Sequence, residues 1–163
     1  MRAERLRAVR GQQGFMLIEA MVAILIFSLG VLGLVALGGQ AVSAQSDAQY
    51  RTEASGIADA IAGQIAVGVD RTNSGANIAT SLAAFVHQPA GGNCVFSGTA
   101  TANASLLTVL ARAATMPGAG VFQQQVAVQN GAGTFNRVEI TVCWKTASDS
   151  GAWRKNTYVT YVN

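Results

Sequence analysis

A single carboxylate inside a long apolar segment carries the strongest chemical information in this sequence. From Phe15 to Gly39 the chain has 25 residues, and Glu19 is the only ionisable side chain among them. At 1.5 Å per residue this segment forms roughly 37 Å of helix, which is enough to cross a hydrocarbon core of about 30 Å. A charged group at the centre of a bilayer costs about 2.5–3.5 kcal/mol, so a simple membrane anchor has no reason to carry one. We therefore expect the carboxylate of Glu19 to have a function that depends on its charge.

The residues before Phe15 are polar and basic. They hold four arginines and one acid, a net charge of +3: Arg2, Arg5, Arg7, Arg10 and Glu4. Because positively charged flanks stay in the cytoplasm, the sequence predicts a cytoplasmic leader and a remainder beyond the inner membrane. The whole chain is also +3, so the part from Phe15 onward is neutral. This argues against nucleic-acid binding by a general basic surface.

An ordinary cleavable secretory signal is the competing interpretation of the N-terminal segment. The small residues Val42, Ser43 and Ala44 form a pattern after which signal peptidase could cut, so that the product would begin at Gln45. The apolar core of such signals has about 7–15 residues, much shorter than the segment found here. This interpretation also leaves Glu19 without an explanation.

The two cysteines, Cys94 and Cys143, agree with a location outside the cytoplasm. There, such a pair is expected to be oxidised, and the bond would close a loop with 48 residues between the cysteines. A loop of this length contributes on the order of 4 kcal/mol in the chain-entropy model. A metal site is not expected, because His87 is the only histidine in the sequence and neither cysteine has another cysteine near it in the sequence. We therefore predict a disulfide, and neither a metal nor a cofactor.

A continuous helix from about Phe15 to about Val67 must position these residues. Ile57, Ile61 and Ile65 follow one another at intervals of four, which predicts an apolar stripe on the second half of that helix. We expect this half to pack against a soluble domain. In the first half, Gly30 and Gly33 indicate either close contact with another helix or a point where the helix unwinds.

The middle of the chain, 69–104, gives weaker signals. Residues 81–87 fit a short helix or a strand, and residues 89–93 read as a turn that leads into Cys94. A second helix is predicted over 104–116, with Asn103 as its N-cap.

The last third of the chain alternates as antiparallel strands do. Three strands are predicted, with turns at 130–133 and 148–151. In the first strand one face carries Phe122, Gln124, Val126 and Val128. In the second strand one face carries Val138, Ile140, Val142 and Trp144. The third strand spans 153–162. The apolar face would cover the helix, and Cys143, on the other face, would point toward the loop at 90–96. The aromatic residues of this region are expected in the sheet core: Trp144, Trp153, Tyr158 and Tyr161. The fold class is therefore α+β, a long N-terminal helix packed on a small antiparallel sheet.

Gly14 and Phe15 followed by Glu19 resemble the processing and assembly motif of type IV prepilins, the class III signal peptide. The match is concentrated in Gly14–Gly38, where FMLIEAMVAILIFSLGVLGL is most similar to the PilV group of minor pilins, the type IV pilus modification proteins. The resemblance implies a pilin fold with a leader at 1–14, a transmembrane and assembly half at 15–39 and a globular domain at 40–163. It also implies that a prepilin peptidase cleaves between Gly14 and Phe15 and methylates the new amine of Phe15. The carboxylate of Glu19 would then neutralise the Phe15 amine of a neighbouring subunit.

The resemblance implies a structural subunit rather than an enzyme. Its expected partners are the prepilin peptidase, the major pilin, other minor pilins, a tip adhesin and, before assembly, the inner membrane. The expected role is pilus initiation and assembly, and through the filament adhesion or twitching motility. Two alternatives stay open: a minor pseudopilin of a type II secretion system, and a membrane-anchored periplasmic binding module that never polymerises. An enzyme is not expected, because His87 has no nucleophile near it in the sequence and no glycine-rich phosphate loop is present.

Overall fold

The long N-terminal helix is the first element of the structure, a computed structural model that describes residues 13–72, 75–130, 135–146 and 151–163. This helix, α1, spans Gln13–Gly68, so it begins two residues before the predicted start and ends one residue after the predicted end. The chain divides into two compact units between Ser43 and Ala44. We call them the helical unit and the globular unit. The predicted boundary, at residue 39, lies four residues earlier.

In the helical unit the apolar side chains are exposed. The most apolar window of 18 residues has a mean hydropathy of 2.7, and none of it is buried. By length and composition the helix is able to cross a membrane. The hydroxyl of Ser28 donates a hydrogen bond to the carbonyl of Ile24 at 2.7 Å, so this polar group needs no partner outside the helix.

The globular unit contains the rest of α1 and all the other elements. In chain order these are α2 (Gly75–Ala83), β1 (Ala90–Gly92), β2 (Val95–Ser97), α3 (Ala104–Ala113), a 3₁₀ turn (Val121–Gln123), β3 (Gln125–Gln129), β4 (Arg137–Trp144) and β5 (Arg154–Tyr161). Strands β3, β4 and β5 form an antiparallel meander with β4 in the centre, and β1 and β2 form a separate hairpin. This is the α+β architecture that the sequence predicts.

The core of the globular unit forms where α1 meets the sheet. Ile57, Ile61 and Ile65 are at most 1% exposed, which confirms the predicted stripe. They belong to one buried cluster with the apolar face of β4, that is Val138, Ile140, Val142 and Trp144, and with residues of α3 such as Leu106 and Leu110. Burying each large apolar side chain contributes about 1.5–3 kcal/mol, so this cluster is the main source of stability of the unit.

Two predictions for the middle of the chain need correction. Residues 90–92, predicted as a turn, form β1 and pair with 95–97, so the turn lies at Asn93 and Cys94. Both of these residues have positive φ, 52° and 63°, as both central positions of a type I′ hairpin turn require. Residues 81–87 are neither one helix nor one strand, because α2 ends at Ala83 and the backbone of His87 then pairs with that of Val126.

The structure moves the end of α3 and the start of the first strand of the meander relative to their predicted positions. Asn103 caps α3 by accepting a hydrogen bond from the amide of Leu106 at 3.1 Å, as predicted, but the helix ends at Ala113, three residues early. The first strand of the meander begins at Gln125, so Phe122 lies in the preceding 3₁₀ turn and is exposed. Of the predicted turns at 130–133 and 148–151, residues 131–133 and 148–150 fall outside the described residues.

Strand β5 differs from its prediction in burial rather than in position. It spans Arg154–Tyr161, but Tyr158 is 38% exposed and Tyr161 is 56% exposed, whereas Trp144 on β4 is only 2% exposed. The order of the sheet explains this difference, since β4 has a strand on each side and β5 has a neighbouring strand on one side only among the described residues. Only Trp144 therefore belongs to the predicted aromatic core, while Trp153 is half-buried under the ammonium group of Lys145, 4.4 Å from its ring centre.

Candidate functional site

The predicted processing site lies at the start of α1. Gly14 and Phe15 both belong to this helix, and Phe15 is 71% exposed. Because the bond between them is part of a helical backbone, a protease that takes its substrate in an extended form must first unwind this end of the helix. The leader residues 1–12 lie outside the described residues.

Glu19 follows Phe15 by four positions on the same helix. Residues at this spacing lie on the same face, one turn and about 6 Å of rise apart. The side chain of Glu19 is exposed, and within the described part of the chain it forms no ion pair or hydrogen bond. The structure thus brings together the backbone of the predicted cleavage site and the carboxylate of the predicted assembly residue, and it supplies no counter-charge for that carboxylate.

The surface around Glu19 is apolar on every side of the helix. Between Phe15 and Leu37 the only polar side chains are those of Glu19 and Ser28. The large hydrophobic residues of this segment are exposed: Phe15, Met16, Leu17, Ile18, Met21, Val22, Ile24, Leu25, Ile26, Phe27, Leu29, Val31, Leu32, Leu34, Val35 and Leu37. An apolar surface of this extent marks contact with lipid or with other proteins. A Cβ atom added at Gly30 or Gly33 would meet nothing within 4 Å, so packing inside this chain does not require glycine there. Small residues at these positions would let a second helix approach closely.

The second predicted site is the disulfide, and the structure forms it. The sulfur atoms of Cys94 and Cys143 are 2.05 Å apart, the Cα atoms are 5.8 Å apart, and both residues are at most 1% exposed. Cys94 lies in the turn of the β1–β2 hairpin and Cys143 lies on β4. The bond therefore links loop to sheet, as the sequence predicts, and holds the short hairpin against the outer face of the meander.

A buried glutamine whose role was not predicted from the sequence positions Cys143. The side-chain amide of Gln124 accepts a hydrogen bond from the backbone N–H of Cys143 at 2.9 Å and donates one to its carbonyl at 3.1 Å. Gln124 is fully buried and precedes β3, so its side chain continues the pairing of β4 beyond the end of the neighbouring strand. A glutamine in the same alternating pattern as Val126 and Val128 was the signal for this role, because buried amides require partners.

His87 is buried and has a structural role. Its Nε2 lies 2.9 Å from the carbonyl oxygen of Val121, and its Nδ1 accepts a hydrogen bond from the backbone N–H of Thr101 at 3.2 Å. These partners require the neutral tautomer with hydrogen on Nε2. Both ring nitrogens are thus occupied by the backbone, and the ring joins the segment after α2 to the segment that leads into β3.

Within the described ranges no group of three or more His, Cys, Asp and Glu side chains is placed to hold a metal ion. Comparisons with protein-family models, with curated proteins and with solved structures found no match to this chain. The function therefore has to be inferred from the sequence motif and from the geometry of these two sites.

Proposed function

We propose that this chain is a type IV prepilin and that its mature form is a minor, PilV-like pilus subunit. The observation that carries the proposal is the carboxylate of Glu19, exposed on an apolar helical surface and without a partner in the described chain, one turn after Gly14 and Phe15. A carboxylate in such a surface is tolerated in lipid or in a protein interface when an opposite charge meets it.

Cleavage between Gly14 and Phe15 would create that opposite charge. The new amine of Phe15 would stand at the N-terminus of α1, where the helix dipole already places a partial positive charge of about half an elementary unit. A cation at this end of a helix is unfavourable and is relieved by an anion. The carboxylate of Glu19 on a neighbouring subunit would supply the anion, and a shift of one helical turn would separate both charges from their partners.

The same proposal gives the partners and the location of the protein. The prepilin peptidase would process the chain in the inner membrane, with the leader in the cytoplasm and the globular unit in the periplasm. The major pilin and other minor pilins would cover the apolar surface of the helical unit in the filament. The filament would then reach the cell surface, where a tip adhesin is a further partner and where adhesion and twitching motility take place.

Mass spectrometry of the N-terminus tests the processing step. The protein is isolated both from sheared surface filaments and from membranes, and we expect a chain that begins at methylated Phe15 in the filament fraction. A Phe15 start found only in membranes would favour a minor pseudopilin of a type II secretion system, and the filament role would be wrong. A start at Gln45 would identify ordinary signal-peptidase cleavage and contradict the whole proposal.

Two matched variants test the charge of Glu19. Both E19Q and E53Q remove one carboxylate from α1, but Glu53 lies in the globular unit. We expect E19Q to lower the amount of the protein in sheared filaments at least about tenfold, because breaking a buried ion pair costs about 3–5 kcal/mol. E53Q should be incorporated like the wild type. Equal incorporation of E19Q and the wild type would exclude pairing of this carboxylate during assembly.

A further inference from the structure

A surface cleft of about 410 Å³ lies in the globular unit between α1 and the end of the meander. Among the described residues its lining contains three cationic side chains, no acidic one, and three further residues with hydrogen-bonding groups: Arg51, Arg154, Lys155, Ser55, Asn156 and Trp144. All of these residues lie outside the predicted processing and assembly segment. The cleft is therefore a separate candidate for binding.

One carboxylate beside the cleft balances part of this positive charge. Asp47 lies 3.0 Å from the Nε of Arg51 and 3.1 Å from the Nη1 of Arg154. The terminal Nη groups of Arg51 make no hydrogen bond within the described part of the chain, and its side chain is 63% exposed. Lys155 is exposed and has no ion-pair partner among the described residues. Among the described residues, Arg51 and Lys155 thus bring two positive charges to the cleft with Asp47 as the one carboxylate beside them, and the balance is positive.

The indole of Trp144 adds a second, independent observation. Trp144 is 2% exposed and lines the cleft, and its Nε1–H has no acceptor among the residues that the structure describes. Most buried polar groups in folded proteins have a hydrogen-bond partner, so a buried donor without one calls for an explanation. Ser55, which also lines the cleft, accepts its hydrogen bond from the side-chain amide of Asn156 at 2.8 Å and not from this indole. An acceptor from outside the chain would complete this group.

We propose that this cleft binds a carboxylate that a partner polypeptide presents, as an acidic side chain or as a chain terminus. Arg51 and Lys155 supply the positive charge, and the indole N–H of Trp144 supplies a directional donor. Charge-assisted hydrogen bonds to an oxyanion are about twice as strong as neutral ones. The volume of the cleft falls in the range of pockets that enclose whole small molecules, so it has room for a side chain as well as for its carboxylate. The inference does not depend on processing at Gly14.

Nuclear magnetic resonance of the indole N–H groups tests this proposal directly. The chain has two tryptophans, so the ¹⁵N-labelled full chain in neutral maltoside micelles gives two indole signals, and the variant W153F assigns them. Tetraglutamate is titrated as the polypeptide probe and inorganic phosphate as the free oxyanion, at equal ionic strength. We expect tetraglutamate to shift the Trp144 signal in a saturable way and phosphate to shift it much less. The absence of any saturable shift of this signal would overturn the proposal.

Three glutamine variants separate a specific site from general charge. R51Q and K155Q each remove a cation of the cleft, and R112Q removes one from the exposed face of α3, outside the cleft. We expect R51Q and K155Q each to weaken tetraglutamate binding about tenfold, the equivalent of one charge-assisted hydrogen bond. R112Q should change it by less than about twofold, because distant exposed charges are screened. An equal loss in all three variants would contradict the proposed site.

The two probes also decide the source of the anion. Saturable binding of phosphate at concentrations as low as those needed for tetraglutamate would identify a site for free inorganic oxyanions and would overturn the assignment to a polypeptide. Preferential binding of tetraglutamate, lost in R51Q and kept in R112Q, would support it.

Discussion

Ile24 and Ile61 lie on the same helix, and their surroundings show how the two parts of this chain differ. Ile24, in the helical unit, is 66% exposed, whereas Ile61, in the globular unit, is 1% exposed. The globular unit finds the partners of its apolar residues within the chain, in α3 and in the meander. In the described part of the helical unit, residues 13–43, the apolar side chains have no such partners, so this apolar surface and the carboxylate of Glu19 are suited to partners outside the chain. One helix thus contributes to the core of the globular unit with its second half and leaves the apolar side chains of its first half exposed.

The disulfide offers the strongest test of this comparison, because it links only elements of the globular unit. Replacing both cysteines, in the variant C94A/C143A, should lower the free energy of unfolding by about 4 kcal/mol, since the bond closes a loop with a sequence separation of 49. Urea denaturation of the full chain in maltoside micelles measures this loss. Tryptophan fluorescence reports on the globular unit alone, because both tryptophans, Trp144 and Trp153, lie there.

Reduction of the wild-type protein is the control for the cysteine variant, since it breaks the bond without changing the side chains. We expect reduced wild type and C94A/C143A to unfold at similar urea concentrations, both well below that of the oxidised protein. If reduction left the unfolding midpoint unchanged, the loop-closure argument would fail, and the core alone would hold the unit together.

The same substitution, isoleucine to alanine, tests the two halves of α1 at one residue each. The variant I61A should lower the free energy of unfolding by about 3 kcal/mol, because truncation of a buried isoleucine loses its contacts and leaves a cavity. I24A removes the same atoms from an exposed position on the same helix and should leave the unfolding midpoint of the globular unit unchanged. The same fluorescence measurement applies to both. A similar loss in the two variants would show that the stability of the globular unit depends on the apolar half of α1.

The sequence predicted the features of the fold that depend on local periodicity. The spacing of Ile57, Ile61 and Ile65 identified the buried face of α1, and the alternation along residues 137–144 identified the buried face of β4. Asn103 was recognisable as an N-cap because its side chain acts on an amide three residues away. These signals are strong because the interacting groups are close in sequence or repeat with the period of the element.

The features that the sequence did not predict depend on contacts between distant segments. The exposure of Tyr158 and Tyr161 follows from the place of β5 in the sheet order, which alternation alone does not determine. Cys94 adopts a positive φ that is unusual for a side-chain-bearing residue, and the hairpin and the bond to Cys143 hold it there.

The two candidate sites differ in the same respect. The motif of Gly14, Phe15 and Glu19 is contained in six residues, so the sequence alone indicates it. The cleft combines Arg51 with Trp144 and Lys155, which lie 93 and 104 residues further along the chain. Only the folded arrangement of α1 against the meander brings these groups together, and no local pattern marks them.

The smallest expected effect concerns a polar contact just after the end of α1. The carboxylate of Asp70 accepts hydrogen bonds from the hydroxyl and the backbone N–H of Thr72, and these bonds lower its pKa below the ordinary value of 3.8. A depressed pKa in the folded state means that the ionised carboxylate favours folding. This contribution is fully present above pH 3.8 and is lost as the pH falls through the lower pKa of the folded state. The stability of the globular unit should therefore decrease slightly in acid.

The variants D70N and D59N isolate this contribution, since both remove one exposed carboxylate from the same region of the globular unit. Urea midpoints are compared between about pH 3 and pH 5, where the folded and unfolded states bind protons differently. D70N keeps an oxygen that can accept from Thr72 but no longer titrates, so its midpoint should fall less steeply with acid than that of the wild type. D59N, which has no such hydrogen bonds among the described residues, should follow the wild-type slope. Equal slopes for D70N and the wild type would show that the contact with Thr72 does not favour the ionised form, and the acid sensitivity of the unit would then have to come from other carboxylates.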